Sequence, residues 1–310
     1  MKKLRKQRLA AIIIGILFLG TVLASFYFFH VAQVRGEKSF VGSGGIAKTS
    51  PLYAYEKAFD KLTYETDTME NQGVKQEAWY VPAEKKTDKT VIVVHGFTSS
   101  KKYMKAYGYM FHELGYNVLM PDNIAHGNSK GQIIGYGWND RLNVLKWADI
   151  LISQNPSVEI TLFGVSMGGA TVMMASGEEL PSQITTIIED CGYTSVWDEL
   201  AYQAKQLYHL PAFPLLYEVS ALSKIRAGFS YGEASSIKQL AKNHLPTLFI
   251  HGGNDTFVPT EMVYENYAAT QGPKELYIAK GAGHAKSFEK DPQTYKEKIP
   301  HLSSQVQQVH

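Results

Sequence analysis

Cysteine is almost missing from this chain: among 310 residues there is one, Cys191, so no disulfide can close within it and its stability must come from an apolar core. Metal-ligand spacings such as His-x-x-x-His are also missing, as are a glycine-rich dinucleotide fingerprint, internal repeats and low-complexity tracts. No metal and no cofactor is therefore expected. Charge of one sign is scarce as well. The formal net charge is +2, and Lys2, Lys3, Arg5, Lys6 and Arg8 crowd the first eight positions, which leaves the remainder near −3. A body without a basic excess gives no ground for a nucleic-acid partner.

Charge is wholly absent from Leu9 to Phe29. A run of about 20 apolar residues is long enough to cross a bilayer as a helix, and the basic head before it belongs on the cytoplasmic side. Residues 1–8 thus read as a cytoplasmic head, 9–34 as a transmembrane signal-anchor and 35–50, which carries Gly42, Gly44 and Gly45, as a spacer. Residues 51–310 read as one large domain, expected outside the cell. A cleaved signal peptide competes, because Val22-Leu23-Ala24 supplies small residues for cleavage. The apolar run continues past that point through Phe26, Tyr27, Phe28 and Phe29, which favours an uncleaved single-pass anchor in the cell membrane.

What the body does contain is Gly164-Val165-Ser166-Met167-Gly168, directly after the apolar run Ile160-Thr161-Leu162-Phe163. A G-x-S-x-G between a strand and a helix is a nucleophile elbow: the chain turns so sharply that the serine stands clear, and its neighbours two before and two after must be almost free of side chain. Serine is a weak nucleophile and needs a base, and the base needs a partner to fix its tautomer. Thr247 to His251 reads as a strand whose following turn, Gly252-Gly253-Asn254-Asp255, presents Asp255. Leu276 to Ala279 is the next strand, and Gly281-Ala282-Gly283-His284 presents His284. Asp190, at the end of Thr185 to Glu189, is the rival acid; His95, His126 and His251 read as packing or loop-bracing histidines. Two backbone N–H groups should form an oxyanion hole: that of Met167, and that of Phe97 in the loop after strand Val91 to His95.

Together, His95-Gly96-Phe97, the Asp122 to Ser129 segment, the elbow, Asp255 and Gly283-His284 resemble the α/β-hydrolase superfamily. Gly137-Trp138-Asn139-Asp140-Arg141, the elbow extended through Thr171, and Glu189 to Ser195 resemble more narrowly the membrane-anchored cell-surface hydrolases of Gram-positive bacteria. The resemblance covers roughly Tyr53 to Ile299. At Ile124 the relatives usually carry an arginine that braces the loop. Strands and helices alternate from Tyr53 onward, which calls for an α/β fold: a mostly parallel sheet covered on both faces.

The alternation breaks at 196–234, a stretch rich in Leu, Tyr and Phe and interrupted by Pro211 and Pro214, which reads as an inserted helical cap. Phe213 and Leu216 are expected to roof an acyl pocket beneath it. Cys191 is expected to be a packed thiol, and Asp140 and Arg141 to be structural braces. The combination implies a serine hydrolase of small-molecule or lipid-like acyl esters. The same triad would serve a peptidase or acyltransferase, and a non-catalytic surface-binding protein is the reading from another class.

Overall fold

The computed structural model describes residues 2–36, 38 and 45–306; part of the expected spacer, residues 37 and 39–44, lies outside them. Eight strands, β1 (Glu65–Asn71), β2 (Val74–Val81), β3 (Lys89–Val94), β4 (Asn117–Pro121), β5 (Glu159–Val165), β6 (Ile184–Asp190), β7 (Thr247–Gly252) and β8 (Lys274–Ala279), form one sheet in the order β1-β2-β4-β3-β5-β6-β7-β8. Every pair from β4 across to β8 is parallel, and the β1–β2 and β2–β4 pairs are antiparallel.

The central strands are continuous apolar runs because both of their faces are covered. In β3, Val91 and Val93 face a core shared with Met110, Phe111 and Tyr295, whereas Ile92 and Val94 face one shared with Trp147, Leu151 and Val172. Helices α2 (Leu52–Phe59), α3 (Lys105–Glu113), α10 (Ser287–Lys290) and α11 (Pro292–Val306) cover the first face. Helices α4 (Asp140–Gln154), α5 (Met167–Ala175), α8 (Ser236–Leu240) and α9 (Glu261–Ala269) cover the second.

Strand β1 carries no apolar alternation, and Met69 is its one buried residue. The hairpin turn recruits it: Gln72 and Gly73 both have positive φ, 50° and 74°, between paired Asn71 and Val74, the two-residue geometry whose twist matches antiparallel strands.

Between β6 and β7 lie α6 (Val196–Tyr208) and α7 (Leu215–Ala227). Ser195 caps α6 by accepting the Asp198 N–H, and left-handed Gly228 ends α7. The N-terminal helix α1 (Lys2–Gln33) is long and apolar enough to be a candidate transmembrane helix, with a mean hydropathy of 2.6 over its most apolar 18 residues. Its first two-thirds stand in the open, but Ser25, Phe29 and Gln33 are buried against α7 and the body. Immediately after it Val34 bridges to Ile133, and the Arg35 guanidinium donates to the carbonyls of Ser129 and Gly127 at 2.7 and 2.6 Å. The helix end therefore docks directly on the body.

Candidate active site

Ser166 sits between β5 and α5 with φ 57° and ψ −118°, a conformation side chains rarely adopt. Surrounding backbone locks it: its N–H donates to the Asp190 carbonyl at 2.7 Å, and its own carbonyl accepts from Ala170 at 2.9 Å. A Cβ on Gly164 would collide with the Gly168 carbonyl, and one on Gly168 with that of Val94. Both glycines are therefore required by close approach of backbone to backbone.

His284, on the loop after β8, brings Nε2 to 2.9 Å from Ser166 Oγ, and its Nδ1 lies 2.8 Å from Asp255 Oδ2. Asp255 follows β7, and its other oxygen accepts the N–H groups of Phe257 and Val258 at 2.9 and 3.0 Å. Burial alone would raise its carboxyl, but hydrogen bonds from His251 and His284 outweigh that and hold it at about 2. An ionised Asp255 accepts only, so His284 Nδ1 carries the proton and Nε2 is the acceptor facing the serine. The rival acid, Asp190, is turned away: its Oδ2 accepts the Tyr295 hydroxyl at 2.9 Å, and burial raises it to about 6.

His251 does more than pack. Its Nε2 lies 3.3 Å from Asp255 Oδ2 and 3.0 Å from the Val258 carbonyl, so Asp255 is shared by two imidazoles. Burial lowers the His251 pKa, but the hydrogen bond to Asp255 and the nearby Glu189 carboxyl raise it overall. Nothing in the sequence separates a histidine four residues before the acid from an ordinary strand-end residue.

His95 and His126 brace the loop that carries Phe97. Thr98 N–H donates to His126 Nε2 at 3.1 Å and His126 Nδ1 faces the Ile124 carbonyl; Asn123 N–H donates to His95 Nε2 at 3.0 Å and His95 Nδ1 faces the Gly96 carbonyl. Burial lowers both, and the neighbouring His95 helps bring His126 to about 3, so each stays neutral with one donor and one acceptor nitrogen. A Cβ at Gly96 would come within 3.3 Å of Ser166 Cβ, which is how closely this loop passes the serine. Met167, the first residue of α5, directs its N–H out of the helix N-terminus.

Asp140 braces the 122–131 loop: its Oδ1 accepts from Ile124 N–H at 3.1 Å and its Oδ2 from Gly137 N–H at 3.2 Å. Arg141 pairs with Glu178 at 2.8 Å and stacks over Trp138. Cys191, Asp255 and His284 offer ligand atoms within 4.8 Å of one another. Burial pushes the Cys191 thiol well up, against a thiolate, and both His284 nitrogens already face Asp255 and Ser166, so this trio suits a metal poorly.

Beside Ser166 a cavity, partly open to solvent, is lined by Phe97, Tyr136, Tyr193, Phe257, cap residues including Leu200 and Leu216, and Phe28, Val31 and Ala32 of α1. Leu216 roofs it as expected. Phe213 does not: it is 73% exposed, because the chain between α6 and α7 turns it outward against Tyr217.

Glu199 is a carboxyl in this wall. Burial raises it to about 8, only partly offset by the Gln203 amide that donates to it at 2.9 Å. It is thus uncharged at neutral pH. Because its folded value exceeds the ordinary 4.5, stability is undiminished below 4.5 and is lost as pH rises towards 8, by on the order of a few kcal/mol. Glu199→Gln should match the wild-type melting temperature at pH 4 and exceed it by about 5 °C at pH 9. Equal melting curves at both pH values would contradict this placement of the carboxyl.

An eight-stranded, mostly parallel sheet with a serine at a strand–helix elbow, followed in chain order by an acid and a histidine, defines a class of protein. Residues 85–210 match the serine aminopeptidase S33 family model. The uncharacterized protein YqkD of Bacillus subtilis is 32% identical over 214 residues, spanning 69% of this chain and 70% of its own. YfhR of Escherichia coli K12 is 24% identical over 247 residues, 76% of this chain and 79% of its own. Among solved structures, the Pyrococcus furiosus esterase Pf2001 superposes with a TM-score of 0.65 at 24% identity over 87% of this chain and 99% of its own. Est1E of Butyrivibrio proteoclasticus, solved with ferulic acid, gives 0.59 at 20% over 78% and 99%. The chain belongs to the α/β-hydrolase superfamily.

Proposed function

We propose that this protein is a serine hydrolase that cleaves acyl esters through an acyl-enzyme, with Ser166 as nucleophile, His284 as general base and then acid, and Asp255 as the group that orients the imidazole. The observation that carries this is the hydrogen-bonded chain Ser166–His284–Asp255 beside an apolar cavity. Ser166 Oγ attacks the carbonyl carbon as its proton passes to His284 Nε2, and ionised Asp255 stabilises the imidazolium that forms. The N–H groups of Phe97 and Met167 receive the developing negative charge, each supplying about 3 kcal/mol in sites of this kind. His284 returns the proton to the departing alcohol. Water, deprotonated by the same nitrogen, then releases the acid.

An apolar wall with a neutral carboxyl suits an acyl chain better than a charged peptide terminus, which favours ester over aminopeptidase chemistry. Pf2001 and Est1E, which share the fold, are an esterase and a ferulic acid-bound protein respectively. The hydropathy of α1 and its basic head support a single-pass anchor with the catalytic body outside the cell.

A fluorophosphonate probe tests the reading: it should label wild type at Ser166 and leave Ser166→Ala unlabelled. Hydrolysis of p-nitrophenyl esters without turnover of aminoacyl amides is the expected profile. Amide turnover alone would move the protein to the peptidases, and an unlabelled serine would remove it from the hydrolases.

A further inference from the structure

The anchor helix forms part of the cavity it was expected only to tether. Thr21 Oγ1 donates to Glu218 at 2.8 Å, Gln33 Nε2 donates to Ser223 Oγ at 3.1 Å and its amide oxygen accepts the Tyr231 hydroxyl at 3.1 Å. The Tyr136 hydroxyl donates to the Ala32 carbonyl at 2.6 Å. Helix α1 therefore packs against α7 through its second half, and its last turns place Phe28, Val31 and Ala32 in the cavity that contains Ser166.

This docking fixes the level of the cap relative to a bilayer. Counted from Leu9, where charge ends, about 20 residues at ~1.5 Å each cover the ~30 Å of hydrocarbon and end near Phe28. Contact with the cap already begins at Thr21, so about 12 Å of α1 lies both within that thickness and against α7. The adjoining cap surface has matching chemistry. Phe213 and Tyr217 are 73% and 58% exposed, Leu207 and Tyr208 of the same cap are exposed as well, and Tyr208 meets Phe28 edge-on at 5.1 Å. Tyrosines and apolar side chains at this level are what an interfacial surface uses. The basic residues Lys224 and Arg226 lie about two turns beyond Glu218 along α7, at the end beside Gln33, while the Glu218 carboxyl at the Thr21 level is held by the Thr21 hydroxyl.

We propose that the tip of the cap, around Leu207 to Tyr217, is seated in the membrane leaflet on the side of the catalytic body, and that α1 forms a wall of the acyl pocket. The substrate is then a bilayer-resident acyl ester whose chain slides between α1 and the cap to Ser166 without crossing water. This rests on the serine-hydrolase and membrane-span readings above.

The test uses the full-length protein in phosphatidylcholine vesicles. An environment-sensitive fluorophore on Phe213→Cys, with Cys191 buried and unreactive, should be quenched by lipids brominated along their acyl chains. Absence of quenching places the tip in water or against a second copy and overturns the proposal. In the same vesicles, Phe213→Glu/Tyr217→Glu should lower hydrolysis of an embedded long-chain diacylglycerol at least tenfold, while p-nitrophenyl acetate turnover and fluorophosphonate labelling hold. Unchanged diacylglycerol hydrolysis, or an equal loss on both substrates, overturns it too. Val31→Trp, which fills the cavity from the α1 side, should lower decanoate hydrolysis relative to acetate at least tenfold; an unaltered chain-length profile would remove α1 from the pocket. Quenching reports depth whether or not Ser166 reacts, so an unlabelled serine sinks the hydrolase reading separately.

Discussion

Ser166→Ala, His284→Ala and Asp255→Asn should each lower kcat on a short p-nitrophenyl ester by on the order of 10⁴-fold, with little change in KM. The three side chains form one continuous hydrogen-bonded path, so the Ser166→Ala/His284→Ala double variant should be hardly slower than either single one. Asp255→Asn has a second consequence. Its carboxylate also serves His251 and the N–H groups of Phe257 and Val258, so the variant should melt at a lower temperature as well. Asp190→Asn supplies the contrast: Asp190 holds Tyr295, not His284, and its replacement should leave kcat within tenfold of wild type. If Asp190→Asn abolished turnover and Asp255→Asn did not, the orienting role would pass to Asp190.

The elbow glycines should give the largest stability losses. Gly164→Ala and Gly168→Ala each drive a methyl group into a main-chain carbonyl, of Gly168 and of Val94 respectively, and neither carbonyl can rotate away without breaking the β5–α5 or β3 connection. Overpacking against backbone costs on the order of 3 kcal/mol or more, read as a lowered urea midpoint with unchanged slope. Gly283→Ala is the control. A Cβ there meets nothing within 4 Å, so its stability should stay within about 0.5 kcal/mol of wild type even though it adjoins His284. A midpoint for Gly168→Ala equal to that of Gly283→Ala would contradict this account of the turn.

Local chemistry made much of the molecule legible. The strands Val91 to Val94, Ile160 to Val165 and Thr247 to His251 announce themselves because burial on both faces forces continuous β-branched and apolar runs. The elbow is legible for a steric reason confined to five residues. Asp255 and His284 follow from chain order together with the turns that present them. Strand β1 was not legible: Glu65 to Asn71 has no alternation to read, and only pairing with β2 across the Gln72-Gly73 turn makes it a strand. The outward turn of Phe213 was hidden likewise, since apolar character says that a residue can be buried but not which neighbours remain to bury it.

By itself, then, the sequence determined the α/β class, the serine elbow, the order of acid and histidine and an apolar N-terminal helix, because each rests on steric or hydropathic rules acting over a few residues. Only the tertiary structure decided that Asp190 turns to Tyr295, that His251 shares Asp255, that burial raises Glu199 in the pocket wall, and that α1 lines the cavity instead of standing apart from it. Those facts depend on groups up to some 200 positions apart in the chain, such as Thr21 and Glu218, meeting in space. Their burial and hydrogen bonds exist only once the sheet, the cap and the helix have closed around them.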